Sequence, residues 1–286
     1  MAQKKLSFNN QQLSIVPESV RNAGDIEVLT FFRNNLTELP GWLWELKNLQ
    51  FLNLGENRIQ KVSEDISRLQ SLHTLDLGHN ELSLLPEAIG KLENLTYFLY
   101  LSNNKLKELP PSITQLKKLR YLNITDNQLA ALPENIGDME ALIELRVYNN
   151  AIESLPSSIG NLLNLRELHA MNNMIETLPA SITKLNNLKE LRLSNNKLTL
   201  LPADIGALEK FTYLDLRNNK LRQLPDSISA LKNLRFLDLR GNELTSIPKS
   251  IAELPHLEKL DLRWNDIELP DNFIDNLEEK GCIVYT

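Results

Sequence analysis

The stretch LRLSNNKLTLLPADIGALEKF, residues 191–211, decides the fold. Leu191 and Leu193 alternate with Arg192 and Ser194, the two-residue period of a strand with one buried face. Asn196 then turns the chain out of the strand. Its amide both donates and accepts, so it can satisfy backbone groups that a tight buried corner would otherwise orphan. Leu198 and Leu201 return inward. Pro202 suits the first position of a short helix, where a missing N–H costs nothing. Ile205 and Leu208, three apart, predict one or two turns of 3₁₀ or α helix on the outer side. One unit is therefore a strand, a corner and a helical return.

Working outward, an equivalent of Asn196 recurs at Gln11, Asn34, Asn57, Asn80, Asn104, Asn127, Asn150, Asn173, Asn196, Asn219, Asn242 and Asn265. The interval is 23 residues, with one of 24 between Asn80 and Asn104. No unit of this size buries its leucines alone, but stacked neighbours do. Strands about 4.8 Å apart then form a parallel sheet. The helical backs are wider than the strands, so the stack is expected to curve with the sheet inside. Prolines at 40, 86, 110, 133, 156, 179, 202, 225 and 248 share one phase of the period, which reads as helix starts and not as a proline-rich ligand.

The run LxxLxLxxNxL followed by LPxxIxxLxx resembles the leucine-rich repeat, in its 23-residue LPxxI variety. The resemblance spans essentially the whole chain. It implies an α/β fold: a right-handed curved horseshoe solenoid, with a parallel concave sheet and short helical or 3₁₀ convex segments. It is similar to free-standing intracellular bacterial repeat proteins, to scaffolds that bind Ras-like GTPases, and to the repeat arrays of the Roco family. By that resemblance, a GTPase or other signalling protein is a conceivable partner. Such arrays share a scaffold and differ in the surface that selects a partner, so function must be read from that surface.

We read residues 1–286 as a single domain of about twelve repeats. Residues 1–25 form an N-terminal capping repeat, with Gln11, Val16, Val20 and Ala23 replacing the usual types. Residues 266–286 form a C-terminal cap: a helix over Phe273, Ile274 and Leu277 ending at Gly281, then a last strand from Cys282 to Tyr285. A formal charge of −6 argues against nucleic acid and anionic membranes as partners. No apolar segment has the length of a signal or a membrane span. The single cysteine, Cys282, excludes a disulfide framework and suits a reducing, cytoplasmic compartment. In its apolar strand Cys282 reads as packing and not as a nucleophile.

The chain contains no G-x-x-x-x-G-K-[ST], G-x-G-x-x-G, H-E-x-x-H or G-x-S-x-G. His73, His79, His169 and His256 fall at different phases and are not expected to converge on a metal. No cofactor is expected, and no enzyme activity.

Within each strand, residues four and two before the ladder position should face the concave side, free of the leucines' packing demands. At the centre these columns bring together Tyr100, Arg146, Tyr148, His169, Met171 and Arg192, types that anchor protein interfaces. Glu144, Glu167 and Glu190 form an acidic row beside them. Farther on, Asp215 with Arg217, Asp238 with Arg240 and Asp261 with Arg263 repeat one pair three times. These read either as a docking strip or as a self-satisfying ladder of cross-strand ion pairs. Trp264 is a rim anchor or packs on the cap. The extra residue in LTYFLYLSNN (95–104) should bulge, leave one group unpaired and make Tyr97 or Phe98 project. The expected function is capture of a protein partner by a monomer through Tyr100, Arg146, Tyr148, His169, Met171, Arg192, Arg217, Arg240 and Arg263. A secreted effector that binds host proteins is the alternative.

Overall fold

The computed structural model describes residues 4–286. The first three residues of the expected N-terminal cap therefore lie outside the described part. The chain forms two compact units, 1–142 and 143–286.

In the first unit, six three-residue strands lie parallel: β1 Lys5–Ser7, β2 Val28–Thr30, β3 Phe51–Asn53, β4 Thr74–Asp76, β5 Phe98–Tyr100 and β6 Tyr121–Asn123. The second holds seven: β7 Glu144–Arg146, β8 Glu167–His169, β9 Glu190–Arg192, β10 Tyr213–Asp215, β11 Phe236–Asp238, β12 Lys259–Asp261 and β13 Ile283–Tyr285. Register steps one repeat at a time, for example Leu191 opposite Leu214 and Leu214 opposite Leu237. Equivalent side chains thus line up in columns, and the middle residue of each strand from β2 to β12 is buried.

The returns between strands are 3₁₀ turns, such as Gly41–Glu45 and Ser157–Asn161. An α helix occurs only as α1, Phe273–Glu278, among the described residues. Most of the prolines stand one place earlier than the expected first helical position, while Pro133 and Pro202 stand farther out, before 3₁₀ turns capped by Asn135 and Asp204. Pro40, Pro86, Pro110, Pro156, Pro179 and Pro225 are N-caps with φ between −61° and −71° and extended ψ. Their carbonyls accept the first turn's N–H, as Pro156 does from Ile159 at 3.0 Å. The ring fixes the φ this corner needs, and an N-cap needs no donor of its own there. Ser63 fills the same place without the ring and accepts from the Asp65 N–H at 3.1 Å.

Ladder asparagines tie each coil to the preceding one. Asn196 Nδ2 donates to the carbonyls of Leu193 (2.9 Å), Ser194 (3.4 Å) and Ala170 (2.9 Å), the last in the neighbouring coil. Its Oδ1 accepts from the Ile175 N–H at 3.0 Å. Asn34, Asn57, Asn80 and Asn219 repeat this pattern. Gln11 does not. It is exposed, and its own N–H is held by Asn34 Oδ1 at 3.1 Å.

The residue before each ladder asparagine adopts a left-handed conformation, with φ from +51° to +62° between Asn10 and Trp264. Asparagine tolerates this region better than most residues and fills six of these places, including Asn149, Asn172, Asn195 and Asn218. In the second unit their amides form an exposed ladder, with Asn195 donating to Asn172 and Asn218 to Asn195, each at 2.7 Å. Gly206 marks a different constraint. A Cβ there would stand 2.1 Å from the Ser227 carbonyl oxygen, so the next coil lies against bare backbone.

Phe273, Leu277 and Cys282 are buried, Gly281 takes φ +83°, and β13 pairs with β12. Burial pushes the Cys282 thiol up to about 11, which keeps it protonated and inert as a nucleophile. No helix among the described residues is long and apolar enough to cross a membrane.

Candidate functional site on the strand-lined faces

Because strands alternate, three columns share the outer face of each sheet: residues six, four and two before the ladder position. Of the positions named from sequence, Tyr100 belongs to the first unit and the other eight to the second.

On the first unit, Tyr100 joins Phe98, named from sequence only as a residue projecting at the insertion, and Tyr121, which the sequence reading left out; both stand six before a ladder asparagine. Phe98 stacks on Tyr100 with centroids 5.7 Å apart. Tyr121 lies 5.4 Å from Phe98 and 5.3 Å from Tyr100. Pairs at these separations attract through their quadrupoles as well as by burial. Phe98 nevertheless remains 40% exposed. The inserted residue sits just before these rings. In regular coils one carbonyl accepts two successive N–H groups, as Gln50 does from His73 and Thr74. At the insertion the load is divided. Thr96 accepts from Arg120 at 2.9 Å and Tyr97 from Tyr121 at 3.1 Å. Tyr97 and Phe98 both project, and Tyr97 meets His73 edge-on at 5.9 Å.

On the second unit, the expected acidic row is present and captures the adjacent cations along each strand. Arg146 pairs with Glu144, His169 Nε2 lies 3.2 Å from Glu167 Oε2, and Arg192 Nη2 lies 2.9 Å from Glu190 Oε2. The Arg192 guanidinium also covers the Tyr213 ring at 4.6 Å. Tyr148 and Met171 are half-buried beside these pairs. His169 departs from the expectation of a free surface residue: it is only 8% exposed. Burial, then the charges of Arg146 and Arg192, hold its pKa below the usual histidine value against the pull of Glu144 and Glu190. The imidazole is neutral at pH 7.

His169 brings two carboxylates together, although the four histidines do not converge. Donor atoms of Glu144, Glu167 and His169 all lie within 4.8 Å of one another, close enough to meet a divalent cation after small rotations. The Arg146 guanidinium is bound to Glu144 and competes for its carboxylate.

Two of the three Asp-Leu-Arg repeats satisfy themselves, mainly within strands and not across them, whereas in the third Arg217 Nε is buried without a hydrogen-bond partner. Arg240 Nη2 reaches Asp238 Oδ2 at 2.6 Å and Arg263 Nη2 reaches Asp261 Oδ2 at 2.7 Å. Arg217 approaches Asp215 at 3.6 Å. One contact does cross, from Arg240 Nε to Asp261 Oδ2 at 3.3 Å. These are not wholly exposed pairs, because Asp261 has no exposed surface and Asp215 is buried. Trp264 is 72% exposed and does not pack on the cap.

This geometry defines a solenoid of short parallel strands, asparagine ladders and 3₁₀ returns, and the comparisons agree. Models of leucine-rich repeats match residues 111–199, 200–279, 52–106 and 97–116. The chain belongs to the leucine-rich repeat family. A leucine-rich repeat protein of Leptospira interrogans is 34% identical, with a TM-score of 0.91 over 99% of this chain and 72% of that one. The ectodomain of the Arabidopsis thaliana receptor kinase GASSHO1/SCHENGEN3 is 29% identical, with a TM-score of 0.75 over 92% of this chain and 36% of its own. An internalin of Listeria monocytogenes shares the fold at 20% identity, with a TM-score of 0.80 over 99% of this chain and 86% of that one. A comparison with curated protein sequences finds no match.

Proposed function

We propose that this chain is a non-enzymatic protein-interaction module, a single cytoplasmic domain acting as a monomer, that captures a protein partner on its strand-lined faces. The observation that carries this reading is the ring cluster of Phe98, Tyr100 and Tyr121. It leaves apolar surface in water on a face that the fold does not need for its own packing. On the second unit the reading assigns contact to Arg146, Tyr148, Met171 and Arg192, with Arg217, Arg240 and Arg263 extending the face. His169 orients its neighbours. Their ion pairs hold the cations in fixed positions, which lowers the entropy lost on binding. The similar plant ectodomain is seen in complex with Casparian strip integrity factor 2, a precedent for protein recognition by such an array. A signalling protein, a GTPase among them, is the partner class to try first. Neither nucleic acid nor membrane is a partner in this reading.

Changing Arg146 and Tyr148 together to alanine should abolish capture of the partner from lysate. The thermal midpoint should stay within about 4 °C, since a half-exposed ion pair is worth under about 1 kcal/mol. Undiminished capture by the double variant overturns the assignment on the second unit.

A further inference from the structure

Asp76 on the first unit holds the same phase as Asp215, Asp238 and Asp261 but lacks what they have. In each of those three strands the residue two places on is arginine, and it folds back onto the carboxylate. At Asp76 that residue is Gly78. The carboxylate is nevertheless held in the same way. The Gly78 N–H donates to Asp76 Oδ1 at 2.9 Å, as the arginine N–H groups do to their aspartates at 3.2, 3.2 and 3.4 Å. Half the motif is built, and the guanidinium is the missing half.

Among the described residues no lysine or arginine forms an ion pair with Asp76. Its other polar contact is the Asn53 side chain, and the charged groups facing it are His79 and Glu56. Burial outweighs those contacts and lifts its pKa above the usual carboxylate value, the signature of a charge without its counter-charge. The floor around it is bare. Cβ atoms built at Gly55 and Gly78 would stand 3.1 and 3.3 Å from the Asp76 oxygens, so glycine at both places keeps the space over the carboxylate open. Register places Asp76 directly beside Tyr100 and Thr74 beside Phe98. The ring cluster therefore forms one wall of this space.

The geometry points to Asp76, with the glycine floor of Gly55 and Gly78 and the rings of Phe98, Tyr100 and Tyr121, as the receptor for an arginine side chain presented by a protein partner. This deepens the reading of the strand faces as protein-binding and rests on it. Arginine fits better than lysine for two reasons. Its planar fork can take the free carboxylate edge, as Arg240 and Arg263 do in cis, and its face stacks on aromatic rings. The chain itself demonstrates that stacking where Arg192 lies over Tyr213.

The test uses a chemically defined probe, N-acetyl-arginine methylamide, titrated into the full chain and followed by amide-resolved NMR. The uncharged citrulline analogue serves as its isosteric control. Saturable shifts at the Gly55 and Gly78 amides are expected with the arginine probe. Binding should weaken by about tenfold or more with citrulline, and equally in Asp76→Asn, which keeps the shape and removes the charge. Gly78→Arg should supply the guanidinium in cis and abolish the shifts. Citrulline binding as well as arginine, retention of binding in Asp76→Asn, shifts confined to the second unit, or no saturable shift would each overturn the proposal. Because the probe is read on the first unit alone, its outcome is independent of partner capture by the Arg146 and Tyr148 variant.

Discussion

Replacing Asn196 by alanine should lower the free energy of unfolding by about 4 kcal/mol, close to the most a single change inflicts. The truncation strands the Ile175 N–H in the buried corner between two coils and takes one of two amide donors from the carbonyls of Ala170 and Leu193, which still accept from Asn173 and Asn219. The Ser194 carbonyl is spared because it also accepts from the Asn172 N–H at 2.9 Å. The orphaned N–H costs about 1–3 kcal/mol and each of the two lost carbonyl bonds about 1 kcal/mol, which together reach about the figure given. Equilibrium urea unfolding measures it. Asn195→Ala is the matched control. That residue is exposed and contributes a left-handed backbone and two surface amide bonds, so its loss should cost about 1 kcal/mol. Equal costs for the two neighbours would show that the ladder does not hold the coils together.

The second large effect is expected at Asp261. Burial alone would raise its pKa, but the Arg263 hydrogen bond, the Arg240 charge and the Arg263 backbone N–H outweigh burial and hold it below the usual carboxylate value. Changing Arg240 and Arg263 together to methionine leaves a fully covered carboxylate without a counter-charge, at a cost of about 3–5 kcal/mol at neutral pH. The pH dependence should reverse sign at this site. In the native chain the folded pKa is depressed, so the unfolded state takes the proton first. The pairing then supports the fold above the unfolded value of about 3.9 and is lost as pH falls through the folded pKa. In the double variant the folded pKa is raised, so the native state takes the proton first and the destabilisation shrinks as pH falls. Urea midpoints between neutral pH and about pH 4 should converge for the two proteins. Adding Asp261→Leu to the double variant should recover most of the loss at neutral pH, since it removes the stranded charge. Parallel pH curves would mean that the guanidiniums do not govern this carboxylate.

The scaffold was open to sequence reading because one physical demand, burial between identical coils, repeats at a fixed spacing. Leucines, ladder asparagines and prolines all answer to it. Misreadings arose where a residue's neighbours in space, and not its phase, decide its state. Gln11 carries the phase of the ladder, yet its side chain is exposed and only its backbone N–H joins the ladder, at Asn34 Oδ1. The prolines share a phase with helix starts, yet the backbone uses most of them one place earlier as caps. His169 lies in an outward column and is covered because Arg146, Glu167 and Arg192 close around it. Two features were available from the same spacing and were passed over. Tyr121 shares with Phe98, noted only for the insertion, the column whose acidic members, Glu144, Glu167 and Glu190, were noticed. The recurring asparagine before the ladder position also signals a left-handed backbone. The choice between pairs along a strand and across strands was not accessible, because aspartate and arginine two apart on one face permit both.

The central claim, that a partner is held by side chains on the strand-lined face while the 3₁₀ side only supports them, is tested most directly by hydroxyl-radical footprinting of the captured complex. Tyr148 and Met171 are readily oxidised and half-exposed, whereas Leu163 and Leu200 are exposed outside the strands. The account predicts that the partner protects Tyr148 and Met171 and leaves Leu163 and Leu200 oxidised as in the free chain. Protection of Leu163 and Leu200, with Tyr148 and Met171 unchanged, would contradict it.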